Sequence, residues 1–330
     1  MKEKSPSAWI AVCTSAELKG RPRRFVLDGR AIVIFRSDYG ISALPDICPH
    51  RSAPLSEGRV IDGKIQCPYH GWQFDGTGRC REVPGAIGDL PRVRIPALAA
   101  CESQGLVFVS AAPSSTSPYA GRLAGEDVVS AVVRSRTHST ILDVAENILD
   151  ATHTHFIHKG LLRGLSARRH RVHVEITGGE GWVEARYEGE PRQDGLISRL
   201  LEGGRGVSIG RFMAPGIAEI EFWGAKRMNL VTTFHLRQET PMEVSGLGIL
   251  CGPRDHGLGH LRAALFQPLF GIALAQDRHI LHAASQNRTM FGNPKPVIGP
   301  LDILRASINA ILNGKLPPVA GSPARIEMEL

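Results

Sequence analysis

Residues 48 to 72 read CPHRSAPLSEGRVIDGKIQCPYHGW and hold two cysteines and two histidines. Cys48 and His50 are separated by one residue, sixteen residues follow, and Cys67 and His70 are separated by two. Two Cys and two His also satisfy tetrahedral zinc, but zinc modules usually place Cys near Cys and His near His. A [2Fe-2S] centre of the mixed-ligand type needs two thiolates on one iron and two imidazoles on the other, so two short loops that each supply one Cys and one His fit it directly. The segment therefore predicts a [2Fe-2S] cluster, with structural zinc as the alternative.

The two halves of this segment resemble a known family. CPHRSAPL and CPYHGWQF are similar to the cluster loops of Rieske proteins, and the β-rich residues around them resemble the Rieske domain. Respiratory members carry an extra Cys in each loop, and the corresponding positions here are Ala53 and Tyr69. The resemblance therefore implies a low-potential cluster that feeds oxygen chemistry. Because the imidazole-bound iron is the easier one to reduce, His50 and His70 should face the electron route.

The chain divides into two parts of different composition. Short strand patterns run from about residue 23 to 110, and the Ser- and Pro-rich segment AAPSSTSPYAG, residues 111–121, is typical of a linker. The remainder mixes strand-type runs with helical patterns. We predict an α+β protein with an all-β Rieske domain over residues 1–115. A catalytic domain over residues 116–330 would contain an antiparallel sheet flanked by helices, in a helix-grip-like arrangement.

A second metal site is indicated by ENILDATHTHFIH, residues 146–158. It places five metal-binding or hydrogen-bonding residues close together: Asn147, Asp150, His153, His155 and His158. On an ideal helix at about 100° per residue, His155 and His158 share a face, whereas His153 and His158 diverge by about 140°. Helical geometry alone therefore favours His155 with His158.

The same stretch resembles the mononuclear-iron motif of Rieske non-heme iron oxygenases, N-x-x-D-x-x-H-x4-H. The resemblance implies that His153 and His158 bind iron and that His155 is a neighbour. It also implies a helix that bends or ends before the second ligand. Asn147 would lie behind the iron and support its ligands.

Asp150 acquires a role from the same resemblance. In the family, this Asp links a cluster histidine of one subunit to an iron-binding histidine of the next. Here that would connect His70 of one chain to His153 of its neighbour. A homotrimer follows, in which each iron receives electrons from the cluster of an adjacent chain.

The acidic residues downstream of this motif include a candidate for the third iron ligand. In PLFGIALAQDRHILHAASQN, a helix beginning near Pro268 would carry one stripe: Phe270, Ala273, Leu274, Asp277 and Leu281. An ionised carboxylate on an apolar face costs several kcal/mol unless something pairs with it. Iron bound by two histidines needs one carboxylate to complete its facial triad. Asp277 is therefore predicted as the third ligand, and DRHIL matches the family context. The alternative is an Asp that reaches solvent or Arg278.

Together the two motifs imply the terminal oxygenase alpha subunit of a multicomponent Rieske system. The chain resembles the alpha-only branch, which includes aromatic-acid O-demethylases and ketosteroid hydroxylases. A separate reductase or ferredoxin would supply electrons from NAD(P)H, and O₂ would hydroxylate or demethylate an apolar cyclic substrate at Fe(II). The alternative is a Rieske-type electron carrier or a ligand-binding protein without oxygenase activity, which has no need for Asp277.

Substrate contacts are predicted from two regions. The Gly-rich segment LLEGGRGVSIGRFMAPG, residues 200–216, could close over the pocket, and Arg205 or Arg211 could hold a substrate carboxylate. The second region supplies three apolar candidates: Phe222, Trp223 and Met228.

Composition and charge bear on the partners and the cellular location of the protein. The net charge is +7, but no long basic block or nucleic-acid motif is present, so no nucleic-acid partner is expected. The N-terminus lacks a signal-peptide pattern, and no apolar run approaches a membrane span. A cytoplasmic location follows. Six cysteines are too sparse for a disulfide scaffold, and four without a role are expected to pack in apolar surroundings: Cys13, Cys80, Cys101 and Cys251.

Overall fold

The computed structural model forms two compact units. It describes residues 9–111, 117–163, 169–189, 195–196, 206–224, 227–255 and 258–330. The first unit comprises Met1–Ala120 with Glu239–Pro241, and the second comprises Gly121–Gln238 with Met242–Leu330. The boundary predicted between residues 115 and 116 lies outside the described residues and stays a prediction.

The first unit is all-β, as the sequence predicts. Its strands are β1 Ile10–Thr14, β2 Arg23–Leu27, β3 Arg30–Ser37, β4 Gly40–Pro45, β5 Arg59–Ile61, β6 Lys64–Gln66, β7 Gln73–Phe74, β8 Cys80–Glu82, β9 Ala99–Ser103 and β10 Leu106–Ser110. They form the antiparallel sheets β1–β10–β9, β2–β3–β4 and β5–β6–β7–β8. Two-residue Asp-Gly turns join β2 to β3 and β5 to β6, and both residues of each turn have positive φ. These are the tight hairpin turns that Asp-Gly favours.

The second unit is built on one antiparallel sheet in the order β11–β17–β16–β15–β14–β13–β12–β18. Its strands are β11 Val128–Thr137, β12 Arg171–Gly179, β13 Trp182–Glu188, β14 Val207–Met213, β15 Ile217–Trp223, β16 Met228–Thr240, β17 Glu243–Pro253 and β18 Ala324–Glu329. The α-helices with described bounds are α1 Ile141–Leu149, α2 Leu258–Met290 and α3 Arg305–Leu312. The predicted sheet with flanking helices is confirmed.

The core of the second unit lies between the sheet and its helices. On β12 the buried residues Val172, Val174 and Ile176 alternate with more exposed ones, which is the period of a half-buried strand. Ile308 of α3 is fully buried in the same cluster. Each such side chain contributes about 1.5–3 kcal/mol when it leaves water. This packing holds α1 and α2 against one face of the sheet, where the second metal site lies.

Three elements differ from the sequence prediction. The ideal helix considered through His158 ends at Leu149, and the helix expected to begin near Pro268 begins at Leu258, so Pro268 lies inside it. Leu and Ala residues before Pro268 are good helix formers and extend the helix through the proline at some cost. The final strand β18 was not predicted. It pairs with β12, a partner distant in the sequence.

Helix α2 bears on the expectation that the chain has no membrane span. It is long and apolar enough to cross a membrane by length and composition, although a core helix passes the same test. It also carries Asp277, whose carboxylate contacts two histidines of the same unit. The absence of a membrane span stays a prediction.

The unassigned cysteines differ in burial. Cys13 and Cys80 are buried in apolar clusters of the first unit, as expected. Cys101 and Cys251 are half-buried.

An ion-pair network connects helices α1, α2 and α3 of the second unit. The Asp143 carboxylate of α1 accepts hydrogen bonds from Arg288 of α2 and Arg305 of α3, both at 3.0 Å. The Thr140 hydroxyl also donates to it, at 2.8 Å. Burial acts to raise the pKa of Asp143, but these three donors outweigh burial and hold the pKa below its usual value. The carboxylate is therefore ionised in the folded protein at neutral pH.

Removing this charge should destabilise the second unit. We expect Asp143→Asn to lower the free energy of unfolding by about 3 kcal/mol at pH 7, because two partly buried guanidinium groups lose their counterion. Because the folded-state pKa is depressed, the contribution is complete above the unfolded pKa near 3.8. It disappears as the pH falls through the folded pKa. Urea unfolding at pH 7 and below pH 4 measures both effects.

The matched control for this measurement is Asp127→Asn. Asp127 also pairs with an arginine of this unit, Arg254, but its side chain is 80% exposed. An exposed pair contributes little, so we expect less than about 0.5 kcal/mol. Equal losses in the two variants would contradict the role given to Asp143.

Candidate iron centres

The two cluster loops of the first unit share one backbone geometry. In each loop the N–H of the cysteine, Cys48 or Cys67, donates to the carbonyl five residues later, at 2.8 Å in both cases. The N–H of the residue four positions after each cysteine donates to the carbonyl of that cysteine, at 2.8 and 3.1 Å. That fourth residue has positive φ in both loops, and it is Ser52 in the first and Gly71 in the second. Similar local sequences therefore fold into two equivalent loops.

The donor atoms of these loops have the distribution that a mixed cluster requires. The thiols of Cys48 and Cys67 are buried, whereas the His50 and His70 rings are exposed, with centroids 4.6 Å apart. The ring of Trp72 stacks on His50 at 4.8 Å. Burial, reinforced by the neighbouring Cys67, raises the pKa of Cys48 to about 11, so a metal is needed to hold it as thiolate. Two buried sulfur donors and two exposed nitrogen donors fit a [2Fe-2S] cluster reduced from the histidine side.

Local geometry places the second site at the end of α1. The helix begins at Thr140, whose hydroxyl accepts from the Asp143 N–H at 3.2 Å, and ends when Asp150 becomes extended. The Asp150 carboxylate then accepts from the N–H and hydroxyl of Thr152, both at 2.7 Å, and from the His153 N–H at 3.2 Å. These bonds stabilise a new turn after the helix. The chain therefore leaves the helix before both predicted histidine ligands, which agrees with the expectation that the helix ends before the second one.

Three predicted ligands converge beyond this turn. The His153 and His158 Nε2 atoms are 3.3 Å apart, and the Asp277 Oδ1 atom lies 3.4 Å from the first and 3.1 Å from the second. One donor atom from each residue lies within 4.8 Å of the others, a spacing that one ion can bridge. His155 is outside this group. The pairing of His155 with His158 fails because it assumes a continuous helix.

The charges of this group favour a bound cation. Burial acts to raise the pKa of Asp277, but hydrogen bonds and charges from His153 and His158 outweigh it and hold the pKa far below its usual range. Burial acts to lower the pKa of His153, but Asp150 and Asp277 raise it to about 9. Asp277 contacts the two histidines and not Arg278. The geometry therefore favours Asp277 as a metal ligand over Asp277 in an ion pair with that arginine. Two imidazoles and one carboxylate match the donor set of a non-heme Fe(II) site.

Two residues that support the site were not found from the sequence. Gln276 Oε1 lies 2.8 Å from the His158 Nδ1 atom, which as the N–H tautomer leaves Nε2 free for metal. Arg163 is buried and donates from Nε to the Thr154 hydroxyl at 2.8 Å and from Nη2 to the Ala151 carbonyl at 3.3 Å. Gln276 lies beside Asp277, which is the only sequence signal for its role.

Substitution of Gln276 tests this support. We expect Gln276→Leu to weaken iron binding at the second site by roughly tenfold, because His158 loses the acceptor that fixes its tautomer. Chelator competition on the purified protein measures the change. Gln267→Leu is the control on the same helix, since the hydrogen bond that Gln267 makes among the described residues is an exposed one, to the Val132 carbonyl. Unchanged iron affinity in Gln276→Leu would contradict the role.

An apolar cavity of about 130 Å³ adjoins the three ligands. Its wall includes Asn147 and Asp150, the two residues given supporting roles in the sequence prediction. The aromatic and aliphatic part of the wall includes Ile220, Phe222, Leu230, Phe234, Phe266 and Phe270. Such a wall excludes water from bound substrate.

The predicted substrate contacts are only partly found here. Phe222 lines the cavity, whereas Trp223 and Met228 are not among its described lining residues. Residues 200–205 of the Gly-rich segment, including Arg205, lie outside the described residues. Arg211 faces away from the cavity and binds three carboxylates: Glu184, Glu219 and Glu221. It is therefore not a free cation for a substrate carboxylate.

Comparison with known proteins identifies the first unit. Residues 8–93 match the Rieske [2Fe-2S] domain. The chain is 26% identical to the oxygenase component of dicamba O-demethylase from Stenotrophomonas maltophilia, over 68% of this chain and 65% of the relative. It is 29% identical to 4beta-methylsterol monooxygenase from Methylococcus capsulatus, over 66% of this chain and 59% of the relative. The alignments thus span less than two thirds of these relatives' lengths.

Solved structures show the same fold along nearly the whole chain. Dicamba monooxygenase bound to dicamba matches with a TM-score of 0.77 at 19% identity, over 93% of this chain and 96% of that one. NdmA of Pseudomonas putida CBB5 with caffeine matches with a TM-score of 0.73 at 20% identity, over 96% and 95%. At these identities the likeness shows the fold.

Fold and sites together define a class, namely two-domain proteins that join a Rieske domain to a candidate mononuclear iron site in an antiparallel α+β domain. The chain contains a Rieske [2Fe-2S] domain, and the proteins it is similar to include the oxygenase component of dicamba O-demethylase and aminopyrrolnitrin oxygenase PrnD. A [2Fe-2S] cluster, named in the domain description, and non-heme iron, named for dicamba monooxygenase, fit the two donor sets described above.

Proposed function

We propose that this chain is the terminal oxygenase component of a multicomponent system. One observation carries the proposal: two histidines and a carboxylate converge on the wall of an apolar cavity, in a chain that also has a Rieske domain. An electron carrier or a ligand-binding protein has no need for Asp277 against two histidines. The alternative function is therefore less well supported than the oxygenase.

The residues divide the work between two sites. Cys48, Cys67, His50 and His70 would hold the cluster. Fe(II) held by His153, His158 and Asp277 would keep positions open for dioxygen beside bound substrate.

The remaining residues orient these ligands and shape their surroundings. Gln276 orients His158, Asn147 supports the ligands from α1, and the apolar wall keeps water out. Asp150, at 3.5 Å from the His153 Nδ1 atom, would receive His70 of a neighbouring chain. A homotrimer provides this contact around a closed ring.

Partners and substrate follow from the same reading. A separate reductase or ferredoxin would deliver electrons from NAD(P)H, as the description of the dicamba relative as an oxygenase component suggests. The apolar cavity favours a small cyclic substrate, hydroxylated or demethylated with O₂ in a monooxygenase reaction. We also propose a cytoplasmic location and no nucleic-acid partner.

An oxygen-uptake screen tests the proposal. The holoenzyme, a surrogate reductase and NADH are combined with a panel of aromatic and steroid-like compounds, and oxygen consumption, peroxide and products are measured. We expect at least one compound to stimulate uptake and to acquire oxygen from ¹⁸O₂. If the cluster is reduced but no compound is oxidised and all oxygen becomes peroxide, the carrier alternative is favoured.

A further inference from the structure

One hydroxyl on the cavity wall is not accounted for by the fold. Thr232 of β16 is 2% exposed and lines the cavity between Leu230 and Phe234. Among the described residues, its Oγ1 atom has no hydrogen-bond partner. A buried hydroxyl without a partner costs free energy, and valine, of almost the same shape, would avoid that cost.

The next residue of the same strand shows the contrast. Thr233 faces the opposite side of the sheet, and its hydroxyl donates to Glu219 Oε2 at 2.6 Å. The fold therefore gives a partner to the hydroxyl that points away from the cavity. The hydroxyl that points into the cavity is left for a ligand.

Strand register shows where this hydroxyl lies in the cavity. Thr232 pairs with Ile220 of β15, which pairs with Gly210 of β14, so the three residues form one row across the sheet. A Cβ on Gly210 would lie 3.5 Å from the Leu149 side chain, at the end of α1. Two strand spacings, about 10 Å, separate Gly210 from Thr232. The hydroxyl thus lies across the cavity from the end of α1, beyond which the iron site begins.

The size of the cavity limits the ligand that could reach across it. Its volume is about 130 Å³, close to that of an apolar cavity of about 150 Å³ that binds benzene. Phe234, Phe266 and Phe270 form one aromatic side of the cavity. The ring centroid of Phe270 lies 6.0 Å from that of Phe234 and 5.3 Å from that of Phe266. A compact ring fits this space, and a ligand wholly without polar groups would leave Thr232 unbonded.

We propose that Thr232 is the hydrogen-bond anchor for the polar group of a compact ring substrate. The group would be a carbonyl, hydroxyl or ring nitrogen, since a threonine hydroxyl can donate or accept. Anchoring this end leaves the opposite end of the ring toward the iron site. The inference rests on the proposed function, and it specifies the chemistry of the substrate that the site would take.

Two probes of equal shape test the anchor. Acetophenone carries a carbonyl where α-methylstyrene carries a methylene, and both are titrated calorimetrically into the holoenzyme under argon. We expect Thr232→Val to weaken acetophenone binding by about tenfold and to change α-methylstyrene binding by less than about twofold. Equal weakening of both probes would overturn the anchor. No binding of either probe at millimolar concentration would overturn the compact-ring class.

The melting temperature of the Thr232→Val variant distinguishes a ligand anchor from a residue that only supports the fold. We expect the ligand-free Thr232→Val holoenzyme to melt about 2 °C higher than wild type, because an unbonded buried hydroxyl is removed. A lower midpoint would show that the hydroxyl supports the fold and would overturn the proposal. Thr177→Val is the control, since Thr177 lies half-buried on β12 of the same sheet and is not among the described lining residues. It should leave both affinities unchanged.

These measurements are separate from the test of the oxygenase. They record binding without oxygen turnover, so a selective loss of acetophenone binding would stand even if no substrate were oxidised. Conversely, the protein could prove to be an active oxygenase while Thr232→Val weakens the binding of both probes equally. The proposed function would then stand, and Thr232 would not be the anchor.

Discussion

Asp277→Ala should keep its [2Fe-2S] cluster and lose both the second-site iron and substrate-dependent oxygen uptake. Asp277 Oδ1 lies 3.4 and 3.1 Å from the two histidine Nε2 atoms and is the one carboxylate in the described three-residue group. Two neutral imidazoles alone form a weaker site for Fe(II), which prefers the added charge of a carboxylate. Because substitution of supporting residues already costs 10–100-fold, we expect turnover to fall by more than about 100-fold.

Metal analysis and EPR separate the two sites in this variant. Iron should fall from about three atoms per chain to about two, while the signal of the reduced cluster is unchanged. Arg278→Ala is the control, because Arg278 is the other partner considered for Asp277 and is exposed. It should retain full iron. Stoichiometric iron and normal turnover in Asp277→Ala would show that the ligand assignment is wrong.

The cluster loops were accessible from the sequence because each is a local structure. Each loop supplies a Cys and a His within four residues, and its hydrogen bonds stay within six residues of the chain. The iron site was harder, because helical periodicity selected His155 in place of His153. The Asp150 side chain, which bonds the turn after it, ends the helix, and periodicity contains no such information.

Other features depend on contacts between distant parts of the chain. Gln276 meets His158 only because α2 packs beside the end of α1. Arg211 lies on the strand face opposite Ser208 and Gly210, which line the cavity, and the sequence does not show which of the two faces the cavity takes. Thr232 could not have been singled out, because the absence of a partner is a property of the packed interior.

Asp150→Asn should leave both metals bound and nearly abolish electron delivery to the second site. Burial acts to raise the pKa of Asp150, but bonds from His153 and Thr152 outweigh it and keep the pKa below its usual value. The residue is therefore a carboxylate at neutral pH, and the variant removes a real charge. The amide keeps one acceptor oxygen for the turn but replaces the other, which accepts from the His153 N–H, with a donor. On the proposed route this second oxygen, Asp150 Oδ2, is the atom that would link His153 to the neighbouring chain.

Stopped-flow measurement separates delivery from binding. The cluster is reduced chemically, oxygen and substrate are added, and cluster reoxidation is followed; we expect the rate to fall by more than about 100-fold with unchanged iron content. Thr152→Val is the control, because it removes the 2.7 Å bond from the Thr152 hydroxyl and leaves the carboxylate in place. If the carboxylate serves only to hold the turn, the control should slow reoxidation comparably. Intact single-turnover and steady-state rates in Asp150→Asn would exclude this residue from the route, whereas a large loss confined to this variant would assign the effect to the Asp150 oxygen that faces His153.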